Sequence, residues 1–537
     1  MFQQELDPVF GSLLVSALVA AIPIVLLFVL LGVFKVKAPY AAIAALVLSI
    51  ILAIVGWRMP PVQALSATAA GIFYGLFPIL WILINALWVY KLTVATPWSE
   101  AFGRTIRSIS NDLRILSILI AFCFGALLES LAGFGAPVAI SAAMLLAAGM
   151  KPFKAAVVSL LANTAPVAFG ALAAPIFALA GVTWLPLHDL SSMAGRQTPF
   201  MALLVPLVLV FLVDGRRGLK QTWPVALVAG IVFGGVQFLT SNFFAVELTD
   251  VFAAIATIIA VLVMLKFWKP AETIGAEGAD DEKVQRPSAR EIVMSVAPYV
   301  VIITIFSLAQ IPVIKTWLGE VGSVTFRWPG LDVVNAAGDP IAAQDMHFDH
   351  LKATGTLLFL SGLITALLYR IGFRRGLSIY GATLTQLRWT IVTVTAVLGL
   401  SFVMNLSGQT ATLGMALASA GGFFVVLSPV IGWLGVAITG SDTASNSLFG
   451  QLQVTAAAAT GLPPVLMAAA NSSAGVLGKM LSLQNLAVAA AAVGMEGSEN
   501  QLFRKLLPWS LGLLALITIL IVLQSTTVLG WMVPSTP

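Results

Sequence analysis

AFCFGALLESLAGFGAP, residues 121–137, keeps one carboxylate, Glu129, inside a run that is otherwise apolar, small or glycine-rich. What surrounds the run explains why it matters. Of the 537 residues, 59% are hydrophobic and only 9% are charged, and the mean hydropathy is +1.00. Apolar stretches of about 17–25 residues, the length that crosses a bilayer as helix, recur along the chain. Backbone polar groups in lipid must be satisfied within their own segment, so the reading is an all-α polytopic membrane protein. The net charge of +5 sits between apolar runs, where it orients a membrane chain rather than binding nucleic acid. A single cysteine, Cys123, excludes an intramolecular disulfide. The acidic opening MFQQELDPVF does not read as a cleavable signal.

Full crossings are expected near 11–34, 38–57, 65–90, 155–186, 199–214, 222–240, 250–267, 291–314, 350–370, 389–406, 463–492 and 506–531, about 12 in all. With both termini outside (periplasmic), 22 of the 28 Lys and Arg fall in cytoplasmic loops and five (Arg58, Arg196, Lys315, Arg327, Lys352) fall outside. Lys479 falls in neither. That asymmetry is what the positive-inside rule demands.

Two apolar regions remain, about 115–150 and about 427–460, and each must return to the side it entered for the charge pattern to hold. Both read as re-entrant hairpins, broken at GFGAP and at TGSDTASN. Non-helical backbone at that depth is tolerated only when buried in protein or lining a cavity. The order of elements in 1–214 recurs in 291–537, with the first repeat starting outside and the second inside. Two inverted repeats are therefore expected, joined by a linker, 215–290, that ends in the solvated segment KPAETIGAEGADDEKVQRPSAR. Inverted repeats with paired broken helices are the plan of secondary transporters, whose substrate site lies where the interrupted helices meet.

Within the predicted membrane segments only Glu129, Asp442 and Lys479 carry charge at depth, where an ionised group costs at least about 2.5–3.5 kcal/mol on insertion scales. The two acids are the candidates for proton coupling, Glu129 as carrier and Asp442 as fixed partner. The opposing reading is a structural ion pair, and Asp442 could also cap a helix. The breaks GFGAP (Gly133, Gly135), NTAP (Asn163, Thr164), TGSDTASN (Ser441, Thr443, Ser445, Asn446) and NSSAG (Asn471, Ser472) could start half-helices whose free N–H groups, hydroxyls and amides hold a small carboxylate, with Lys479 supplying the charge. Alternatively, such small residues only let helices pack closely. His188, His347 and His350 fall in outside loops and read as surface residues rather than metal ligands; Arg196 reads as a helix end, with a possible part in drawing anions inward.

FGALLESLAGFGAPVAI, LLANTAPVAFGALAAP, WLGVAITGSDTASNSLF and NSSAGVLGKMLSLQNLAVA resemble the lactate permease family of bacterial transporters, and FYGLFPILWI, AGRQTPFM and DGRRGLKQTWP extend the likeness over nearly the whole chain. The resemblance implies proton-driven uptake of L-lactate, and in relatives of D-lactate or glycolate, across the inner membrane. It implies a small carboxylate and the lipid as partners, no nucleic acid, and no cofactor beyond the proton gradient; monomer and homodimer stay open. The family's usual proline in GKM-I-S-P-Q is Leu483 here, which bears on the shape of that break. Two other readings remain at this level: a sodium-coupled carboxylate symporter with the same hairpins, and an intramembrane enzyme using Glu129 and Asp442 as acid and base.

Overall fold

The computed structural model describes residues 1–107, 109–133, 135–275 and 288–534, with only the backbone of 102, 103 and 105–107. The middle of the charged linker, 276–287, lies outside the described residues. Among the described residues, eleven helices are long and apolar enough to cross a membrane, or up to twelve if the bent pair Pro152–Ala162 and Val167–Thr183 (62°) counts as one span. Several differ from the sequence expectation. The crossings 199–214 and 222–240 belong to one run, Thr198–Phe243, broken by non-helical backbone at Asp214 and Gly215 (φ 62). The crossing expected at 350–370 is a helix of only 15 residues, Thr354–Leu368. The crossing at 389–406 lengthens to Phe373–Ser407.

Both leftover apolar regions fold back on themselves. The first runs as helix over Leu113–Ala132, wound more loosely across Ser117–Phe124, turns at Gly133 (φ 27) and Gly135 (φ 83), and returns over Ala136–Ala147. Ser141 on the returning arm donates to the Ile120 carbonyl on the outgoing arm at 3.4 Å. The second runs over Phe424–Thr439, turns at Gly440 (φ 75) and returns over Asp442–Thr460. Its rungs are Ser445 to the Gly432 carbonyl (3.3 Å) and Gln453 to the Ser428 carbonyl (3.0 Å). Side chains cannot follow the chain through φ near +80° without strain, which is why glycine stands at both tips.

Two further departures concern segments read as loops. Residues 315–349 contain the end of a helix, Pro312–Val321, and an antiparallel strand pair, Val324–Arg327 with Asp345–Phe348. Phe2–Gln3 pairs in parallel with Val333–Val334. The strand pair sits on Phe73, whose ring meets Phe326, Trp328 and Phe348 at centroid distances of 5.3–6.4 Å, an arrangement that stabilises by edge and offset contacts. The second departure is Arg114, counted with the cytoplasmic charges but fully buried. It donates to both oxygens of Asp112 (3.0 and 2.7 Å), to Asp214 (3.2 Å), to Gln221 (2.7 Å) and to the Glu272 carbonyl (2.6 Å). One guanidinium thus ties the start of the first hairpin, the Asp214 break and the linker together, a use that its planar fork of donors suits.

Candidate functional site

Glu129 lies in Gly125–Ala132, every residue of which is buried. Lys479 Nζ donates to Glu129 Oε1 at 2.6 Å, the two side chains being 7% and 4% exposed. Asn163 Nδ2 donates to the other oxygen at 2.9 Å. Lys479 stands at the last residue of Pro464–Lys479, where the helix dipole favours a cation, and Asn163 follows the last residue of Pro152–Ala162. A Cβ on Gly170 would come within 2.9 Å of Glu129 Oε1. Both broken helices therefore converge on one carboxylate of the first hairpin.

Asp442 is as buried, 3% exposed, but has no such cation bonded to it. Ser472 donates to its Oδ2 at 2.6 Å and Asn446 to the same oxygen at 3.4 Å. Oδ1 has no hydrogen-bond partner among the described residues, and a Cβ on Gly475 would lie 2.8 Å from it. Asn446 also donates to the Pro175 carbonyl (3.0 Å) and accepts from Asn471 (2.9 Å), so the second hairpin is fastened to the first broken helix as the first hairpin is fastened to the second.

These contacts correct several expectations. Lys479, expected to supply the charge for a bound carboxylate, is hydrogen-bonded to Glu129. The helix cap at the second tip is Ser441, which accepts from the Ala444 N–H, and Asp442 is the first helical residue after it. NTAP lies after the C-terminal end of a half-helix rather than at an N-terminus, and the Thr164 hydroxyl is spent on the Leu161 carbonyl (2.7 Å). NSSAG is no break at all. Asn471, Ser472 and Ser473 are buried inside Pro464–Lys479, packed so closely on the second hairpin that a Cβ on Gly432 would lie 2.2 Å from the Asn471 carbonyl oxygen; small residues serve close packing here. The actual break falls at Met480–Ser482, and the next half-helix, Leu483–Ala492, is capped by Ser482. Leu483 is its first residue, where proline would fit equally well, so the family departure does not disturb the turn. Arg196 is engaged by Asn242 (2.8 Å) and the Met532 carbonyl (2.6 Å).

Besides Asp112, a further buried acid escaped the sequence reading. Asp250 begins the crossing 250–267 and looks there like an ordinary helix-start acid. In the structure it is fully buried, its Oδ1 accepts from Gln237 (3.1 Å), and its Oδ2 is without a partner among the described residues. Its local signal, Thr249-Asp250 before an apolar run, is the same as that of any capped helix.

The chain matches the L-lactate permease family over residues 16–528. It belongs to the lactate permease family. It is 40% identical to the L-lactate permease of Bacillus subtilis (strain 168), covering 99% of each chain. It is 41% identical to the glycolate permease GlcA of Escherichia coli (strain K12), covering 97% of this chain and 98% of that one. Among solved structures, MtrF of Neisseria gonorrhoeae, described as illuminating a class of antimetabolite efflux pumps, aligns over 90% of this chain and 95% of its own with a TM-score of 0.50 at 13% identity. The YdaH transporter of Alcanivorax borkumensis aligns over 85% and 86% with a TM-score of 0.45 at 15% identity. The first of these likenesses concerns the fold alone. The chain is thus a multi-pass permease, and the reading as an intramembrane enzyme is set aside.

Two cavities flank the permease's charged clusters. One of about 200 Å³ meets the tip of the second hairpin at Thr439, Ser441 and Thr443 and is also lined by Trp389, Thr390 and Gln484. The other, about 600 Å³, is lined by Tyr74, Phe177, Trp184, Glu247, Lys315 and His347 among others, next to the far half of the first broken helix. Of the expected site residues, Glu129, Asn163 and Lys479 come together in one cluster, and Asp442, Asn446, Asn471 and Ser472 in another. Ser445 bridges within the second hairpin, while Ser441 and Thr443 face the smaller cavity. Gly133 and Gly135 form the first turn, and Gly135 abuts Asn485.

Proposed function

We propose that the protein is a proton-coupled symporter that takes up L-lactate and related 2-hydroxy monocarboxylates, including D-lactate and glycolate, across a bacterial inner membrane. The names of its relatives support this substrate class, and the buried Lys479–Glu129 pair carries the mechanism. Lys479 is held by the Glu129 carboxylate. When Glu129 accepts a proton, its bond to Lys479 loses its charge and the ammonium becomes free to meet the substrate's carboxylate. One proton and one anion enter together, so the net charge of the site is the same before and after. That balance matters because an uncompensated charge at this depth is costly. Asn163 remains as a donor to either form of Glu129, and Ser441 and Thr443 offer hydroxyls at the cavity beside the second tip. The inverted repeats over 1–214 and 291–537, with both termini periplasmic, give the two hairpins equivalent positions on opposite sides of the site.

The test is uptake into vesicles with proton and sodium gradients imposed separately. A pH gradient alone should concentrate lactate; a response to sodium alone would favour the sodium-coupled alternative. Glu129→Gln should abolish accumulation yet retain lactate counterflow. A second reading is favoured by the unpartnered Oδ1 of Asp442: the coupling proton is carried there. Accumulation that survives Glu129→Gln and is lost in Asp442→Asn would select it. The orientation is tested with single cysteines in a Cys123-free background, where position 338 should react with an impermeant thiol reagent in intact cells and positions 151 and 216 should not.

A further inference from the structure

We propose that Asp250 is the proton-loading residue of the permease, passing protons from the 600 Å³ cavity to Glu129, with Glu247 at the cavity wall as the first acceptor. The proposal rests on the proton-coupled reading above and adds the route by which the proton arrives. Glu247 lines the cavity and accepts from Thr354 at 3.1 Å. Asp250 follows it by three residues, the spacing that places two side chains on one face of a helical turn. From Asp250 the contacts lead inward. Gln237 donates from its amide nitrogen to Asp250 Oδ1 (3.1 Å) and to the Ala165 carbonyl (3.4 Å), which can only accept and so fixes the way the amide faces. Ala165 is two residues from Asn163, the donor to Glu129. Helix Thr249–Phe267 also packs directly on Gly125–Ala132, the arm that carries Glu129.

A purely structural role fits poorly. An acid in the first turn of a helix usually earns its place by accepting backbone N–H bonds, and Asp250 accepts from Gln237 alone among the described residues. Among the described residues, the elements packed against it bring no cation beside it. The first hairpin brings Glu129 and Cys123, the turn before it brings Glu247, and helix Gly170–Thr183 brings none. Helix Thr198–Phe243 carries its charges, Asp214, Arg216, Arg217 and Lys220, around its central break and not beside Gln237. A buried carboxyl group with a free oxygen and no cation is costly unless it has work to do. In the step proposed, a proton from cavity water binds Glu247, moves to Asp250 and then to Glu129, each donor returning to carboxylate; no covalent bond other than O–H is made or broken.

The experiment compares wild type, Asp250→Asn, Asp250→Glu and Glu247→Gln in vesicles loaded for counterflow and, separately, in vesicles with an imposed pH gradient. Asp250→Asn should slow pH-driven lactate accumulation about tenfold or more and flatten its dependence on outside pH, while counterflow stays within about twofold of wild type. Asp250→Glu should restore the pH response, and Glu247→Gln should weaken it less than Asp250→Asn does. Unchanged pH-driven accumulation in Asp250→Asn overturns this proposal alone. So does parallel loss of accumulation and counterflow in both Asp250 variants, which assigns the residue to packing. A wild type indifferent to the pH gradient overturns the symport reading together with this one.

Discussion

The two hairpins share a plan and differ in one charge. Each turns at glycine, each carries a single buried acid, and each acid faces a glycine of a broken helix at a distance that leaves no room for a methyl group. Yet Glu129 is bonded to an ammonium and Asp442 to neutral donors only. Among the described residues one lysine is buried, Lys479, and it serves the first hairpin. The difference teaches that two hairpins of similar plan need not use their acids alike: one acid is held in an ion pair while the other holds the second hairpin against its neighbouring helix.

The largest effect that probes this contrast is expected from Lys479→Gln. Removing one partner of a buried pair leaves the other charge uncompensated, a loss of about 3–5 kcal/mol, visible as a lower melting temperature in detergent and as abolished uptake. Neutralising both members, Glu129→Gln with Lys479→Gln, should recover most of the stability and none of the coupled transport. Asp442→Asn should cost far less stability, because Ser472 can still donate to the amide oxygen. A loss as large as that of Lys479→Gln would mean that Asp442 depends on a cation after all.

Gly170→Ala comes next. Its methyl group would press on Glu129 at 2.9 Å, and overpacking of this kind typically costs about 1–3 kcal/mol. Lactate uptake should fall more than protein abundance does, and an uptake rate equal to wild type would show that the Glu129–Lys479 geometry tolerates displacement. Ser472→Ala removes the 2.6 Å bond to Asp442 and should lower stability by about 1.5–3 kcal/mol, the range for hydrogen bonds to charged groups. A negligible change would place Asp442 in a protonated, weakly bound state. Leu483→Pro should have the smallest effect. Ser482, at φ −66 and ψ 135, already has the backbone that precedes a proline, and the first helical position does not need its N–H. Melting temperature and lactate affinity should match the parent, and a clear loss in either would show that Leu483 makes contacts of its own.

Much of the fold was legible because lipid imposes simple rules. Apolar length marked most of the crossings, and the two stretches left over form helical hairpins that turn at glycine. A loop was expected between the crossings 199–214 and 222–240, and the backbone breaks at its start, at Asp214 and Gly215. The three lone charges stood out against their surroundings, but their pairing did not, since Lys479 and Glu129 are 350 positions apart and nothing local says which acid a lysine will reach. Polar residues in NSSAG looked like a break because serine and asparagine are common at breaks; burial against Gly432 explains them instead. Asp250 was hidden by its position at a helix start, where an acid needs no special explanation, and Arg114 by a count that treated every base near a loop as solvated. The strands over 324–348 lie outside the apolar runs, where hydropathy is silent.

The pairing of Phe2–Gln3 with Val333–Val334 bears on how the protein is made. Gln4 extends the attachment by donating to the carbonyls of Asn405 and Leu406 at 2.7 and 3.0 Å. Synthesis delivers the earliest residues first, so this segment must wait undocked until most of the chain has left the ribosome. The first helices are thus threaded into the bilayer before the strap that holds their leading end exists, and a bulky fusion joined ahead of Phe2 would compete for the same strand edge late in assembly, after insertion has otherwise succeeded.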